Sequence, residues 1–309
     1  VHTIQADAPP PRSTLVVGGR TGSPPNILLM LFGDYWFRGT GHLPSAALVT
    51  LLGDFGVNDA AARAALSRMV KRGLLAATKS GRTTAYCATE RGQHVLDGAS
   101  RRIAEFGVGE RPWPAVWSVV AFATPQNSRS LRAAIRTRLE WLGFAPLYES
   151  LWICPHDRHE DAVRTLQELG VEATPLQATL AESALPTRVP QRAWNLDELR
   201  EQYDDFVAQC ESALARADDA AVTDAEILVE RTRLLETWLH LSGLDPDLPT
   251  AILPEGWPRD RARQLFLLAH ERLGLRATAR VRAVVHEHDA SAAMAVEQRT
   301  ANDWAELAR

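Results

Sequence analysis

The sequence predicts a multi-domain α+β protein. It has an N-terminal winged helix-turn-helix domain, a small central ferredoxin-like α+β domain and an all-α C-terminal domain. Three observations lead there. Residues 58–91, NDAAARAALSRMVKRGLLAATKSGRTTAYCATER, read as a helix, a glycine stop and two strand-like runs around a tight basic turn. From Trp113 onward, strand-like and helical segments alternate. After a proline-bearing stretch near residue 190, long helical segments follow one another. At 309 residues the chain exceeds one ordinary core, and two or three domains are expected.

Taken in order, residues 1–24 are rich in Pro, Gly and small polar residues and read as a flexible arm. Pro25 then suits the first turn of a short apolar helix, NILLMLFGDYWF. Pro44 and Ser45 mark the start of a second helix, which Gly53 or Gly56 ends. Two short helices ahead of the segment at 58 supply the tri-helical core that a helix-turn-helix needs beneath its reading element. Asn58 is a good N-cap, and Asp59 sits where a helix N-terminus favours negative charge. Ala62, Ala65, Leu66, Met69 and Val70 form one apolar stripe of a 3.6-residue period, and Gly73 ends it.

The opposite face carries Ala60, Ala64, Ser67 and Lys71, framed by Arg63 and Arg68. A face of small residues framed by cations can lie close to a polyanion. Ser80-Gly81 is a turn signal between strands, with Lys79 and Arg82 at its tip. This order places a helix in the major groove, with Asn58, Arg63, Ser67, Arg68 and Lys71 toward the bases. The wing then lies on the flanking backbone, with Lys79 and Arg82 holding phosphates. From Asn58 to Arg91 the local charge is +5, whereas the whole chain is −4, which leaves −9 elsewhere. Positive charge is concentrated where a phosphate backbone needs it. Residues 90–106 read as a helix leaving the wing, and GVGERPWP sets a boundary near 108.

In the central region AVWSVVAFAT is strand-like, and NSRSLRAAIRTRLEWLGF is a helix capped by Asn127 or Ser128 and stopped by Gly143. APLYESLWICP is strand-like, RHEDAVRTLQELG is helical and VEATPLQATL is a further strand, consistent with a βαββαβ order. Trp113, Trp117, Phe122, Trp141 and Trp152 are expected in its core. ALPTRVPQRAWN is a linker, and the helical C-terminal part is interrupted by DPDLPTAILPEGWP, with Trp238, Trp257 and Phe266 as packing anchors. The expected division is therefore an arm at 1–24, a winged helix at 25–108, an α+β domain at 109–184 and a helical effector and dimerisation domain at 185–309.

Composition narrows the function classes. With 46% hydrophobic and 23% charged residues the chain reads as a soluble globular protein. A pI near 6.2 excludes an argument for nucleic acid from overall basicity, so the argument rests on local asymmetry. Cys87, Cys154 and Cys210 are odd in number, widely spaced and without a CxxC pair, which fits a reducing cytoplasm. No signal-peptide pattern and no run near the ~20 apolar residues of a membrane span is evident, so an intracellular protein is expected.

Together these segments resemble the PaaX family of bacterial transcriptional regulators, the repressors of phenylacetate degradation and their relatives. LLMLFGDYW resembles the family's opening helix. GVNDAAARAALSRMVKRGLL is similar to the segment around its recognition helix, matching at Asn58, Arg63, Arg68, Lys71 and Gly73. SGRTTAYCAT is similar to the wing, matching at Gly81, Arg82 and Tyr86. AWNLDELREQYDDF and DPDLPTAILPEGWPRDRARQLF resemble the C-terminal domain, the second stretch being the most specific signal. The chain departs at Thr83, where the family often carries a second basic residue, and at Leu74, where it carries Trp. The resemblance implies a homodimeric repressor on double-stranded DNA with a palindromic operator. It also implies release by an aryl-CoA thioester, phenylacetyl-CoA in the founding members.

A CoA pocket needs cations for phosphates and an apolar slot for the acyl group. Arg129, Arg132, Arg136 and Arg138, or Arg188 and Arg192 in the linker, are candidates, against the plainer reading of solvated helix-face arginines. CPHDRHED places Cys154, His156, Asp157, His159, Glu160 and Asp161 in one stretch, and Cys154, His156 and His159 are candidate metal ligands. A metal-binding hydrolase or nuclease centred there is the rival reading, and an effector-independent DNA-binding protein is a third. Against an enzyme, VVAFATPQ lacks the acidic residue that the similar ferredoxin-like nucleases of CRISPR spacer acquisition carry at the end of the first strand. No GxSxG, Walker A loop or GxGxxG after a strand appears either.

Overall fold

The computed structural model describes residues 22–37, 41–81, 83–109, 113–124, 128–179 and 193–308. Most of the expected arm, residues 1–21, lies outside them. The described residues divide into two compact units, one drawn from 22–108, 202–242 and 258–308, the other from 109–201 and 243–257. Among the described residues no helix is long and apolar enough to cross a membrane.

The first unit opens with α1 (Pro24–Tyr35), which starts on prolines as expected and is buried nearly all round by Leu28, Leu31 and Tyr35. After β1 (Leu43–Pro44) come α2 (Ser45–Asp54) and α3 (Asp59–Lys71). Gly56, at φ +76°, turns the chain between these two helices. The α3 stripe packs inward, with Ala62, Ala65, Leu66 and Met69 fully buried. Antiparallel strands β2 (Leu75–Ser80) and β3 (Thr83–Ala88) form the wing, and the sheet runs β1-β3-β2. Two residues are too few to show a strand period, so β1 is illegible in the sequence.

Helix α4 (Glu90–Glu105) leaves the wing from Thr89, whose hydroxyl accepts from the Gly92 N–H at 3.0 Å and donates to the Gly73 carbonyl at 2.6 Å. Gly92 is required by close approach, since a Cβ there would overlap the Leu74 carbonyl oxygen.

Three long helices complete this unit, most of α7 (Leu196–Arg216) and α8 (Asp224–Leu244) and all of α9 (Arg259–His286), with the short α10 (Ala290–Met294) and α11 (Ala301–Leu307). Their core is aromatic. Trp238 stacks between Phe206 and Phe266 at centroid distances of 5.8 and 5.3 Å, and its indole N–H donates to the Ile103 carbonyl of α4. Trp238 and Phe266 are thus the packing anchors expected. Helix α11 packs on α4 and α9 packs on α2, so the winged helix and these helices share one core.

The second unit holds β4 (Trp117–Phe122), α5 (Arg129–Trp141), β5 (Ala145–Tyr148), β6 (Leu151–Cys154), α6 (His159–Glu168) and β7 (Ala173–Ala178). The sheet order is β5-β6-β4-β7 with every neighbour antiparallel, the ferredoxin-like arrangement of a βαββαβ chain. Val120, Phe122, Trp152 and Cys154 face Ile135, Leu139 and Leu166 of the two helices. Trp117 lies on the other sheet face by alternation and meets Trp113 and Trp194 at 5.2 and 6.2 Å. The run APLYESLWICP, legible only as strand-like, is a hairpin with Glu149 and Ser150 at its turn. Trp141 departs from expectation: it ends α5 off the Ile135–Leu139 stripe and is exposed. Residues 243–257 contribute Leu248 and Ile252, both buried, around a 3₁₀ turn at Thr250–Ile252.

Candidate nucleic-acid interface

The α3 surface follows from its cap and its period. Asn58 accepts the Ala61 N–H at 2.9 Å through Oδ1, as a capping residue should, and its side-chain amide nitrogen remains a donor. With Ala62, Ala65, Leu66 and Met69 turned inward, the period forces Arg63, Ala64, Ser67, Arg68 and Lys71 outward, and all five are exposed. Arg63 and Asp59 approach within 3.9 Å at 62% and 80% side-chain exposure, a pairing weak enough to exchange for a phosphate or base. Among the described residues Arg68, Lys71 and Lys79 have no ion-pair partner.

The wing is set by register. Lys79 sits opposite Thr84 and Ser80 opposite Thr83, and Gly81 follows at φ +59°. Lys79 is exposed beside that tip. Arg82 lies outside the described residues. Tyr86 occupies the central strand between Ala77 and Leu43 and is half-buried, unlike the cations around it. The structure therefore brings Arg63, Ser67, Arg68 and Lys71 onto one helix surface, leaves Asn58 exposed as the cap at its N-terminal end, and places Lys79 on the wing, while Tyr86 is held within the sheet.

The elements beneath α3 are fixed by charges the sequence did not disclose. Asp34 of α1 is buried and pairs with Arg231 of α8 and with His270 of α9, whose Nε2 lies 3.2 Å from Asp34 Oδ1. Arg231 also donates to the Tyr35 hydroxyl at 2.9 Å, to the His270 carbonyl at 2.9 Å and to the Arg299 carbonyl at 3.0 Å. Burial alone would push the Asp34 carboxyl up, but the Arg231 charge and the hydrogen bond from His270 hold it below the ordinary carboxylate value. Burial, reinforced by Arg231, pushes the His270 imidazole down against the opposing pull of Asp34. A second tie joins Arg280 of α9 to Asp54 at the end of α2 by two bonds, 2.9 and 2.8 Å. One signal was legible: Asp34 is the only acid in an otherwise apolar opening helix.

The other candidates lie in the second unit. Arg129 is exposed at the start of α5. Arg132 pairs with Glu149 at 3.4 Å, Arg136 with Glu140 at 3.5 Å and Arg138 with Glu168 at 3.1 Å. These pairs lie along the solvent side of α5, whose Ile135 and Leu139 face the core. Arg188 and Arg192 lie outside the described residues. Cys154 is buried in the apolar core, whereas His156 is half-buried and His159 pairs through Nδ1 with Asp157 at 2.7 Å. Among the described residues no three of His, Cys, Asp and Glu come together to hold a metal ion.

Three family models match the chain. They are a PaaX-like protein model over residues 24–92, the PaaX protein central Cas2-like domain over 110–190 and the PaaX-like protein C-terminal domain over 194–283. The transcriptional repressor PaaX of Escherichia coli (strain K12) is 26% identical over 257 residues, 80% of this chain and 79% of that protein. The solved structure of an uncharacterized protein, Rv0674 from Mycobacterium tuberculosis, covers 83% of this chain and 97% of its own. It has a TM-score of 0.56 at 21% identity, a likeness of fold.

Proposed function

Since the chain belongs to the PaaX family of transcriptional regulators, we propose that it is a cytoplasmic, DNA-binding repressor released by an acyl- or aryl-CoA effector of the phenylacetyl-CoA kind. On this reading it acts as a homodimer on a palindromic operator of phenylacetate-type catabolic genes. Its working parts are the winged helix of 25–108, the α+β domain of 109–184 and the helical region from 185. The observation that carries the reading is the α3 surface, where Arg63, Ser67, Arg68 and Lys71 stand exposed over a fully buried apolar stripe beside a basic wing. Arg63 and Arg68 suit bidentate contacts to guanine, and Lys79 with Arg82 suits the flanking phosphates.

The test is fluorescence anisotropy on duplexes from the gene's own upstream region against a scrambled duplex, at two salt concentrations, with and without phenylacetyl-CoA. Specific binding that the thioester abolishes supports repressor and effector class together. Specific binding that ignores it removes the thioester and leaves the DNA-binding function. Binding without sequence preference refutes this region as the operator.

A further inference from the structure

Helices α7 and α8 are joined by the short loop 217–223, but their facing sides do not close on each other. Between them, with Asp54 in one wall, lies a cleft of about 560 Å³, a size that small-molecule sites commonly have. Helix α7 presents Ser212 and Arg216 to it, and α8 presents Val229, Glu230, Arg233 and Leu234, two adjacent rows of four-residue spacing. Much of the charge around the cleft is already spent. Asp54 gives both carboxylate oxygens to Arg280, and Glu226 accepts from the N–H and the hydroxyl of Thr223 at the start of its own helix.

Two groups are left over. Glu230 has one oxygen 3.6 Å from Arg216, while its other, Oε2, is buried without a hydrogen-bond partner. An acceptor in that state is costly and calls for a donor. Arg233, one turn further along α8, is exposed and makes no hydrogen bond or ion pair among the described residues. Glu236, which feels its charge, binds the Gly22 N–H at 2.8 Å instead. Side chains three positions apart on a helix are neighbours, so a donor for Glu230 and an anion for Arg233 fit on one small molecule. Beside both stand the apolar side chains of Ala225, Val229 and Leu234.

We propose that this cleft binds a free α-amino acid with an apolar side chain. Its carboxylate pairs with the Arg233 guanidinium, whose fork matches two oxygens, and its ammonium donates to Glu230. Its side chain lies against Val229 and Leu234. Ser212 and the Gln209 carboxamide, facing from α7, supply acceptors for the remaining ammonium protons. An acid and a base one turn apart on α8 match a carboxylate and an ammonium on one carbon, and a simple anion or amine satisfies only half of the pair. This ligand is separate from the thioester of the reading above, so failure of either leaves the other standing. Asp54 in the cleft wall puts the occupant beside the tie that holds α2.

Thermal melts of the full chain with each standard amino acid at about 10 mM test this. An apolar amino acid with a millimolar Kd should raise the melting temperature by about 3 °C or more. Its deaminated acid and its decarboxylated amine should each give less than about half that shift. Glu230→Gln, which keeps the shape, and Arg233→Ala, at an exposed position, should each lose the shift while melting near the wild type without ligand. No shift with any apolar amino acid overturns the proposal. A polar amino acid that shifts the melt further overturns the side-chain class. A shift matched by the acid or the amine alone overturns the zwitterion, and one that persists in both variants overturns the cleft.

Discussion

Replacing Asp34 by Asn isolates the buried charge beneath α3. The exchange conserves shape but strips the negative charge from a cluster in which Arg231 is 0% and Asp34 1% exposed. Arg231 keeps its bonds to Tyr35, His270 and Arg299, all to neutral groups, so its own charge is left uncompensated. Breaking a buried pair in this way costs about 3–5 kcal/mol. At roughly 2–4 °C per kcal/mol for a unit of this size, the melting temperature should fall by about 10 °C. Removing both charges, in Asp34→Leu/Arg231→Met, should recover part of that loss. Recovery stays partial because the His270 and Arg299 carbonyls lose their donor. Thermal and urea melts of the wild type, Asp34→Asn and the double exchange make the comparison. A single exchange costing under about 1 kcal/mol, or a double no better than Asp34→Asn, would refute the view that an uncompensated charge dominates the site.

Other outcomes follow from the same geometry. Arg63→Ala should weaken operator binding by about 1–3 kcal/mol and relax preference at one base pair, whereas Lys79→Ala should lower affinity for all duplexes and reduce the salt slope by roughly one unit. Anisotropy titrations at several salt concentrations separate the two. Gly92→Ala places a methyl against the Leu74 carbonyl and should cost about 1–3 kcal/mol in a urea melt while leaving exposed α3 residues unchanged. His270 has a folded-state pKa below its ordinary value of 6.5, so the unfolded chain binds the proton more readily. Its contribution is present above about pH 6.5 and is lost as pH falls below it; Asp34, also lowered, adds further loss below its ordinary value of 3.8. Urea midpoints measured from pH 7.5 down to 5 should therefore decline, and a flat profile would contradict the buried neutral imidazole.

What could be read from the chain alone was local. The α3 stripe, the Asn58 cap and the Ser80-Gly81 turn each lie within a few residues, and the structure places them as their spacing requires. The βαββαβ order was equally legible, because strand and helix periods alternate there. Where two periods were too short to register, the reading blurred, as in the two-residue β1 and the hairpin hidden in APLYESLWICP. Trp141 was misplaced because an aromatic residue at a helix end belongs to whichever side the last turn presents. The ties beneath α3 were out of reach. Asp34 and Arg231 are 197 residues apart and Asp54 and Arg280 are 226 apart, and no periodicity couples such distances.

The Arg280–Asp54 pair turns helix α9 into a lever. Two parallel charge-assisted bonds fix direction as well as distance, so α2 cannot roll against α9 without breaking both. From Arg261 to Arg280 a straight helix measures roughly 29 Å at 1.5 Å per residue. A tilt of about 7° around its near end carries the far end by about 3.5 Å, close to the rise of one base pair. Asp54, at the end of α2, is where α9 holds the helix-turn-helix. A tilt of α9 by a few degrees is therefore comparable, at Asp54, with the rise of one base pair.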